Sequence, residues 1–460
     1  MKAGENRDFA ITAIGSENEE SARRVLAQLP STTPDVNASY REETSRYENL
    51  LAGFRGTHMI PPANSWLDWL VLAADTFMVQ GRSEGEREVI AGYHWFEAWG
   101  RDTFISLPGL MLVTGKFDCA RRVFLSFRNH CKNGLIPNFL PENGEQPVYN
   151  TVDATLWFVN AVLQYLKYTG DFEFVKVELW ETLKSVVRNH LNGTSFDIHV
   201  ETDGLLSHGP QLTWMDAVTK VKPVTPRAGK AVEIQALWYN ALKTVQLLGR
   251  DFNENGEAED FEEMAEKARI SFADKFWNTE KGCLYDVVGK NELDGSLRCN
   301  QILAVSLDFT MLDTSKTEKV VDVVGRELLT PCGLRTLSRS DPRYVGVYAG
   351  DRESRDRAYH NGTVWPWLLG PYATAFLRTK GYSAVARGYA LKNFFEPLFA
   401  EKIFDAGLGT LSEIFDGEPP QTSRGCISQA WSVAEPLRAY VEDLMLVRPK
   451  HEKEALQGLR

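Results

Sequence analysis

No run of 18 apolar residues occurs in this 460-residue sequence, so no helix of ordinary length is expected to span a bilayer. The opening MKAGENRDFA lacks the apolar run that follows the first charges of a secretory leader, so none is expected. Basic residues are in deficit: 51 Lys and Arg against 62 Asp and Glu give a net charge of −11. That balance excludes a nucleic-acid binder relying on clustered cations. It also disfavours an anionic membrane surface. Cysteine is sparse, and Cys119, Cys131, Cys283, Cys299, Cys332 and Cys426 stand singly. Without a CxxC pair, structural zinc and thioredoxin-type chemistry are not expected. There is no phosphate loop, no HExxH and no Ser-His-Asp order, and Gly407-Leu408-Gly409 is too short for a dinucleotide fingerprint. These absences predict a reduced, cytoplasmic protein with free thiols and no metal or organic cofactor.

What is present is apolar and aromatic. Hydrophobic residues reach 43%, enough for a large core, and 12 tryptophans serve either that core or stacking on sugar rings. Residues 1–60 are polar, with weak helical patterning over 20–29 and 40–54, and Met59-Ile60-Pro61-Pro62 then punctuates the chain. That reading makes 1–60 an N-terminal extension or the remnant of a larger domain, and 61–450 the main domain. From there helical spacing dominates, beginning with Trp66, Trp69, Leu70, Ala73 and Phe77. Further helices are predicted over 101–115, 117–131, 153–168, 171–192, 231–249, 258–277, 299–312, 316–327, 363–380, 382–397 and 428–446. Strand-like alternation is confined to pieces such as 88–96 and 341–347.

The links between these helices alternate. Thr114-Gly115-Lys116, Thr169-Gly170-Asp171, Asp313-Thr314-Ser315 and Lys380-Gly381-Tyr382 are tight turns joining antiparallel neighbours. The intervening links are long: about 80–100, 132–152, 193–230, 278–298, 328–362 and 398–427. Six hairpins with every long loop at one end predict an all-α (α/α)6 barrel whose loops crowd one mouth. A solenoid is disfavoured because no 30–45-residue consensus repeats.

The long loops concentrate Trp, Arg and carboxylates, which suits a neutral polyol. Glycoside hydrolysis needs two carboxyl groups flanking the bond, and Asp102, Asp153, Asp216, Glu233, Asp405, Glu413 and Asp416 all fall near the mouth. The chemistry alone does not choose among them. Asp102 and Asp153 could instead cap helices, and Glu233 could be an ordinary first-turn acid. Asp216 lies between Met215 and Ala217, an apolar setting that tends to raise a carboxyl pKa and suits a general acid. His360, beside Asn361-Gly362, reads as a hydrogen-bonding or binding residue rather than a base.

At these residues the sequence resembles the glucosidase domain of glycogen debranching enzymes, the amylo-α-1,6-glucosidase module, over about residues 60–446. The resemblance rests on Ala91-Gly-Tyr-His-Trp-Phe96 leading into Trp99-Gly-Arg-Asp102, on Thr213-Trp-Met-Asp216 and on the segment from Gly229 to Asn240. It rests also on His360-Asn-Gly-Thr-Val-Trp-Pro366 and Leu411-Ser-Glu-Ile-Phe-Asp-Gly417. It implies a six-hairpin toroid and hydrolysis with inversion of α-1,6-linked glucose from debranched glycogen or a related α-glucan. By that pattern Asp216 is the general acid and Glu413 the general base. Arg101 and Asp102 hold the non-reducing glucose. Trp99, Asp153, Trp214, His360, Asn361 and Trp365 complete the expected binding set. No alternating βα pattern is present for a transferase barrel, so glucanotransferase activity is not expected. A glucoamylase- or trehalase-like α-glucosidase, a sugar epimerase using His208 and His360, and a non-catalytic glucan-binding protein are the competing readings.

Overall fold

Helices that are buried along one face lie outside helices that are buried nearly all round. The Phe117–Asn129 helix buries Ala120, Val123, Phe124 and Phe127, the i, i+3, i+4, i+7 stripe of an outer helix. The Gly100–Leu107 helix buries every residue, as does Asp153–Thr169 from Asp153 to Lys167. In the computed structural model, residues 18–28, 36–58, 65–81, 85–141, 145–220, 222–290 and 292–458 are described. The chain divides into two compact units, Met1–Ile60 and Pro61–Arg460. The first holds the helices Glu19–Gln28 and Val36–His58; the expected Met59–Pro62 break lies outside the described residues.

The second unit is mainly helical. Its most buried helices pack in a cycle. Gly100–Leu107 contacts Asp153–Thr169, then come Val232–Asp251, Leu303–Ser306, Leu369–Thr379 and Ala430–Ala439, and the last returns to Gly100–Leu107. One-faced helices flank this ring. Asn255–Lys275 and Trp180–Asn192 pack on Val232–Asp251, Thr314–Glu327 on Leu369–Thr379, and Ser65–Thr76 on Ala430–Ala439.

Three expectations are corrected. The helix predicted over 299–312 is a 3-10 turn, Cys299–Ile302, followed only by Leu303–Ser306. It stops because the Arg378 guanidinium takes the carbonyls of Val305, Ser306 and Leu307, which would otherwise be orphaned at a buried helix end. The predicted strand over 341–347 forms no strand; its alternating Val345 and Val347 point to solvent. Strand pairing falls instead on a five-stranded antiparallel sheet, in the order Leu329–Thr330, Gly333–Arg335, Val364–Trp365, Ile414–Phe415 and Ser423–Arg424. The helix expected from 363 therefore begins only after Trp365, and an unforeseen helix, Arg352–Tyr359, lies in the loop before it. Among the described residues, no helix is long and apolar enough to cross a membrane.

Candidate active site

The N-terminal ends of two ring helices, Gly100–Leu107 and Ala430–Ala439, and the long loops around them build one cleft. Loop 80–100 and the helix start after it supply Phe96, Trp99, Arg101 and Asp102. Loop 193–230 supplies Trp214 and Asp216. The Arg352–Tyr359 helix and the strand after it supply Tyr359 and Trp365, and the last loop and helix start supply Glu413, Gln429 and Trp431. The sheet fixes two of these. Trp365 sits on the strand Val364–Trp365, and Val364 pairs with Phe415, two residues beyond Glu413.

Arg101 organises the charges. Its Nε lies 2.8 Å from both oxygens of Asp153 and its Nη1 is 3.1 Å from Asp216 Oδ2, while Nη2 is buried without a partner among the described residues. Neither Asp102 nor Asp153 caps its helix: the N-cap positions are Trp99 and Val152, with no side-chain cap bond. Asp153 also accepts from Thr151 Oγ1 at 2.6 Å, and it stands behind Arg101 rather than in the cleft wall. Asp102 is buried beside Arg101 and accepts from Gln429 Nε2 at 3.0 Å. Burial pushes its carboxyl up to about 7; Arg101 opposes this, and Glu413, Asp216 and Asp153 add to it.

The two catalytic candidates differ in setting. Asp216 is ringed by protein, which raises its pKa against the pull of Arg101, yet 36% of its side chain stays open to the cleft. Glu413 is closed in. Its Oε1 accepts from the Tyr359 hydroxyl and its Oε2 from the Cys426 N–H at 2.9 Å. Burial raises its pKa, while these two donors favour the ionised form.

The wall is aromatic. Trp214 meets Trp365 edge-on at 5.0 Å between ring centroids, Trp365 meets Trp431 at 5.6 Å, and Trp214 donates its indole N–H to Asn300 Oδ1 at 2.8 Å. His360 and Asn361 do not reach the cleft. His360 is fully buried, stacked on Trp365 at 5.5 Å, and burial holds its pKa well below the usual range. Asn361 accepts from Arg298 Nη2 at 2.9 Å. Both therefore support the wall from behind, because the chain turns into the Val364–Trp365 strand and presents Trp365 instead.

The remaining acids are structural here. Glu233 and Asp286 grip Arg227: Nη2 binds Glu233 Oε2 at 2.6 Å, Nε binds Asp286 Oδ2 at 2.7 Å, and Nη1 reaches Glu233 and Thr213 Oγ1. Asn300 joins Asp286 at 2.8 Å to the Trp214 indole, so this cluster holds the Trp214–Asp216 loop from below. Asp405 pairs with Lys402, and Asp416 with Arg424.

Four wall residues were not singled out in the sequence: Phe96, Tyr359, Gln429 and Trp431. Phe96 and Trp431 sit within the aromatic loop motifs and Gln429 two residues before Trp431, so proximity was their only signal. Tyr359 ends a helix whose one buried residue is Ala358, so no apolar period marks it; the Asp351 cap on the Ser354 N–H was the available sign.

The family model described as Amylo-alpha-1,6-glucosidase matches residues 72–438 of this chain. The chain is also similar to a glycogen debranching enzyme of Saccharomyces cerevisiae, at 28% identity over 374 residues. That match covers 62% of this chain and 24% of the yeast protein, so the chain spans about a quarter of its relative's length.

Proposed function

Because the chain belongs to the amylo-alpha-1,6-glucosidase family, and is a glycoside hydrolase by that membership, we propose that it removes single α-1,6-linked glucose units from a debranched α-glucan with inversion. The observation that carries this reading is one cleft holding Arg101, Asp102, Asp216 and Glu413 against walls of Trp99, Trp214, Trp365 and Trp431. Sugars offer apolar faces to such rings and hydroxyls to such charges. The same reading makes the closed cycle of buried helices the inner layer of an (α/α)6 toroid and residues 61–450 the catalytic domain. Residues 1–60 are then an extension. Support for cytoplasmic action is that all six cysteines are free, Cys119 and Cys131 partly exposed, as expected where thiols are kept reduced.

In this mechanism Arg101 and Asp102 hold hydroxyls of the terminal glucose. Asp216, raised in pKa and open to the cleft, gives its proton to the glycosidic oxygen as the C1–O bond breaks. Glu413, held by Tyr359 and Cys426, takes a proton from the water whose oxygen attacks C1 from the opposite face. The products are β-glucose and the chain with a free 6-hydroxyl, and exchange with solvent resets both carboxyls. Inversion requires the two carboxyl groups to stand roughly 6.5–9.5 Å apart, leaving room for that water.

Glucose release from panose, isomaltose, trehalose and glycogen limit dextrin tests the reading. Release from the α-1,6-linked substrates and none from trehalose is expected. Preference for trehalose, or for α-1,4 chains alone, would assign the cleft to the trehalase- or glucoamylase-like alternative. The epimerase alternative loses support because neither His208 nor His360 lines the cleft.

A further inference from the structure

Two carboxyl groups of the cleft share one support. The Cys426 N–H donates to Glu413 Oε2 at 2.9 Å, and the Cys426 thiol lies 2.8 Å from Gln429 Oε1. The other end of that amide, Nε2, donates to Asp102 Oδ1 at 3.0 Å. The Ser428 carbonyl, at 3.4 Å, is the second acceptor within reach of the thiol. We infer that Cys426 is a positioning residue: its thiol fixes which way the Gln429 amide faces, so that the amide donates to Asp102 while the same residue's backbone seats Glu413.

An amide has one accepting and one donating end. With a donor on Oε1, Nε2 must face Asp102 and favours its charged form. Turned over, the amide would set Oε1 against the carboxylate, an arrangement only a protonated Asp102 can satisfy. The orientation of Gln429 and the protonation of Asp102 are therefore linked, and the thiol biases both. Burial raises the thiol pKa, so it remains a donor. Asp102, pushed by burial up to about 7, faces Arg101, Glu413, Asp216 and Asp153, so a single hydrogen bond there shifts its charge near neutral pH.

The backbone is shaped around this relay. Gly92 pairs with Gln429 across a two-stranded ladder, and a Cβ there would land on Gln429 Oε1 and Cys426 Sγ. Gly425, at φ +67°, would drive a Cβ into the Glu413 carboxylate. Two glycines thus leave room for the thiol–amide bond and for the seat of the base.

The inference rests on the proposed role of Asp102 in holding glucose, and the test separates the two. In the full-length chain, Cys426→Ala and Cys426→Val remove the donor, Val keeping the volume; Cys426→Ser keeps the donor. Asp102 is titrated without substrate by difference infrared spectroscopy against Asp102→Asn. Ala and Val are expected to raise the proton affinity of Asp102 roughly three- to thirtyfold, part of the worth of a hydrogen bond to a charged group. Ser is expected to stay within about twofold of the parent, since it keeps that bond. The acidic limb of kcat/KM should move to higher pH in step. An unmoved titration in both Ala and Val overturns the inference, as does a Ser variant that behaves like Ala. Should the infrared shift appear in a chain that releases no glucose, the relay stands and the hydrolase reading falls.

Discussion

Arg101 and Arg227 are both buried among carboxylates, and they end up with opposite properties. Arg227 spends all five of its N–H groups on Glu233, Asp286 and Thr213. Arg101 binds Asp153 and Asp216 but leaves Nη2 without a partner among the described residues, beside an Asp102 pushed up to about 7 and an Asp216 open to the cleft. A charge cluster that satisfies itself can only be scaffold, since a ligand would have to break it. One that leaves donors and titrating acids over has something to offer a substrate. The first holds the Trp214–Asp216 loop so that the second stays open.

The contrast is broken most sharply by removing charge from each side. Asp216→Asn or Glu413→Gln should lower kcat by ~10²–10⁴ or more while thermal unfolding stays near or above that of the parent. Loss of folding with normal turnover in the surviving fraction would place these acids in the scaffold. Arg227→Met should do the reverse. Leaving Glu233 and Asp286 buried without their cation costs about 3–5 kcal/mol, read as a fall in unfolding midpoint in urea. An unchanged midpoint would mean the cluster adds little.

Asp102 gives a smaller, signed effect. Its folded pKa of about 7 lies above the ~3.9 of an unfolded Asp, so the native state binds the extra proton and loses stability as pH climbs between those values. Asp102→Asn removes that dependence. Its stability relative to the parent should therefore improve by on the order of a kcal/mol or more from about pH 4 to about pH 7 and level off above. A pH-independent difference would contradict the raised pKa. The smallest change is expected for Tyr359→Phe, which deletes a donor to ionised Glu413. It should cut kcat about three- to tenfold and move the acidic limb of kcat to higher pH, with KM nearly unchanged.

Much of this is legible in the amino-acid sequence. Helices buried on one face announced themselves by period, and the tight turns at Gly115, Gly170 and Gly381 marked the hairpins. The loops alone left seven carboxylates open; the family resemblance implied Asp216, Glu413, Arg101 and Asp102, and the fold brings all four to one cleft. What could not be read was which side of a loop faces inward. His360, Asn361 and Trp365 are near neighbours in sequence, and only the pairing of Val364 with Arg335 and Phe415 decides that Trp365 faces the cleft and His360 lies behind it. The short Leu303–Ser306 helix was equally hidden, because its end is set by Arg378, more than seventy residues away.

In the proposed mechanism Asp216 and Glu413 act from opposite faces of one glucose unit. Proton NMR of the first product from isomaltose or panose, before mutarotation, tests this directly. β-Glucose is expected as the initial anomer, its signal decaying toward the equilibrium mixture. Initial α-glucose, or a glucosyl ester trapped on Glu413, would show a retaining enzyme and contradict the roles assigned to both acids.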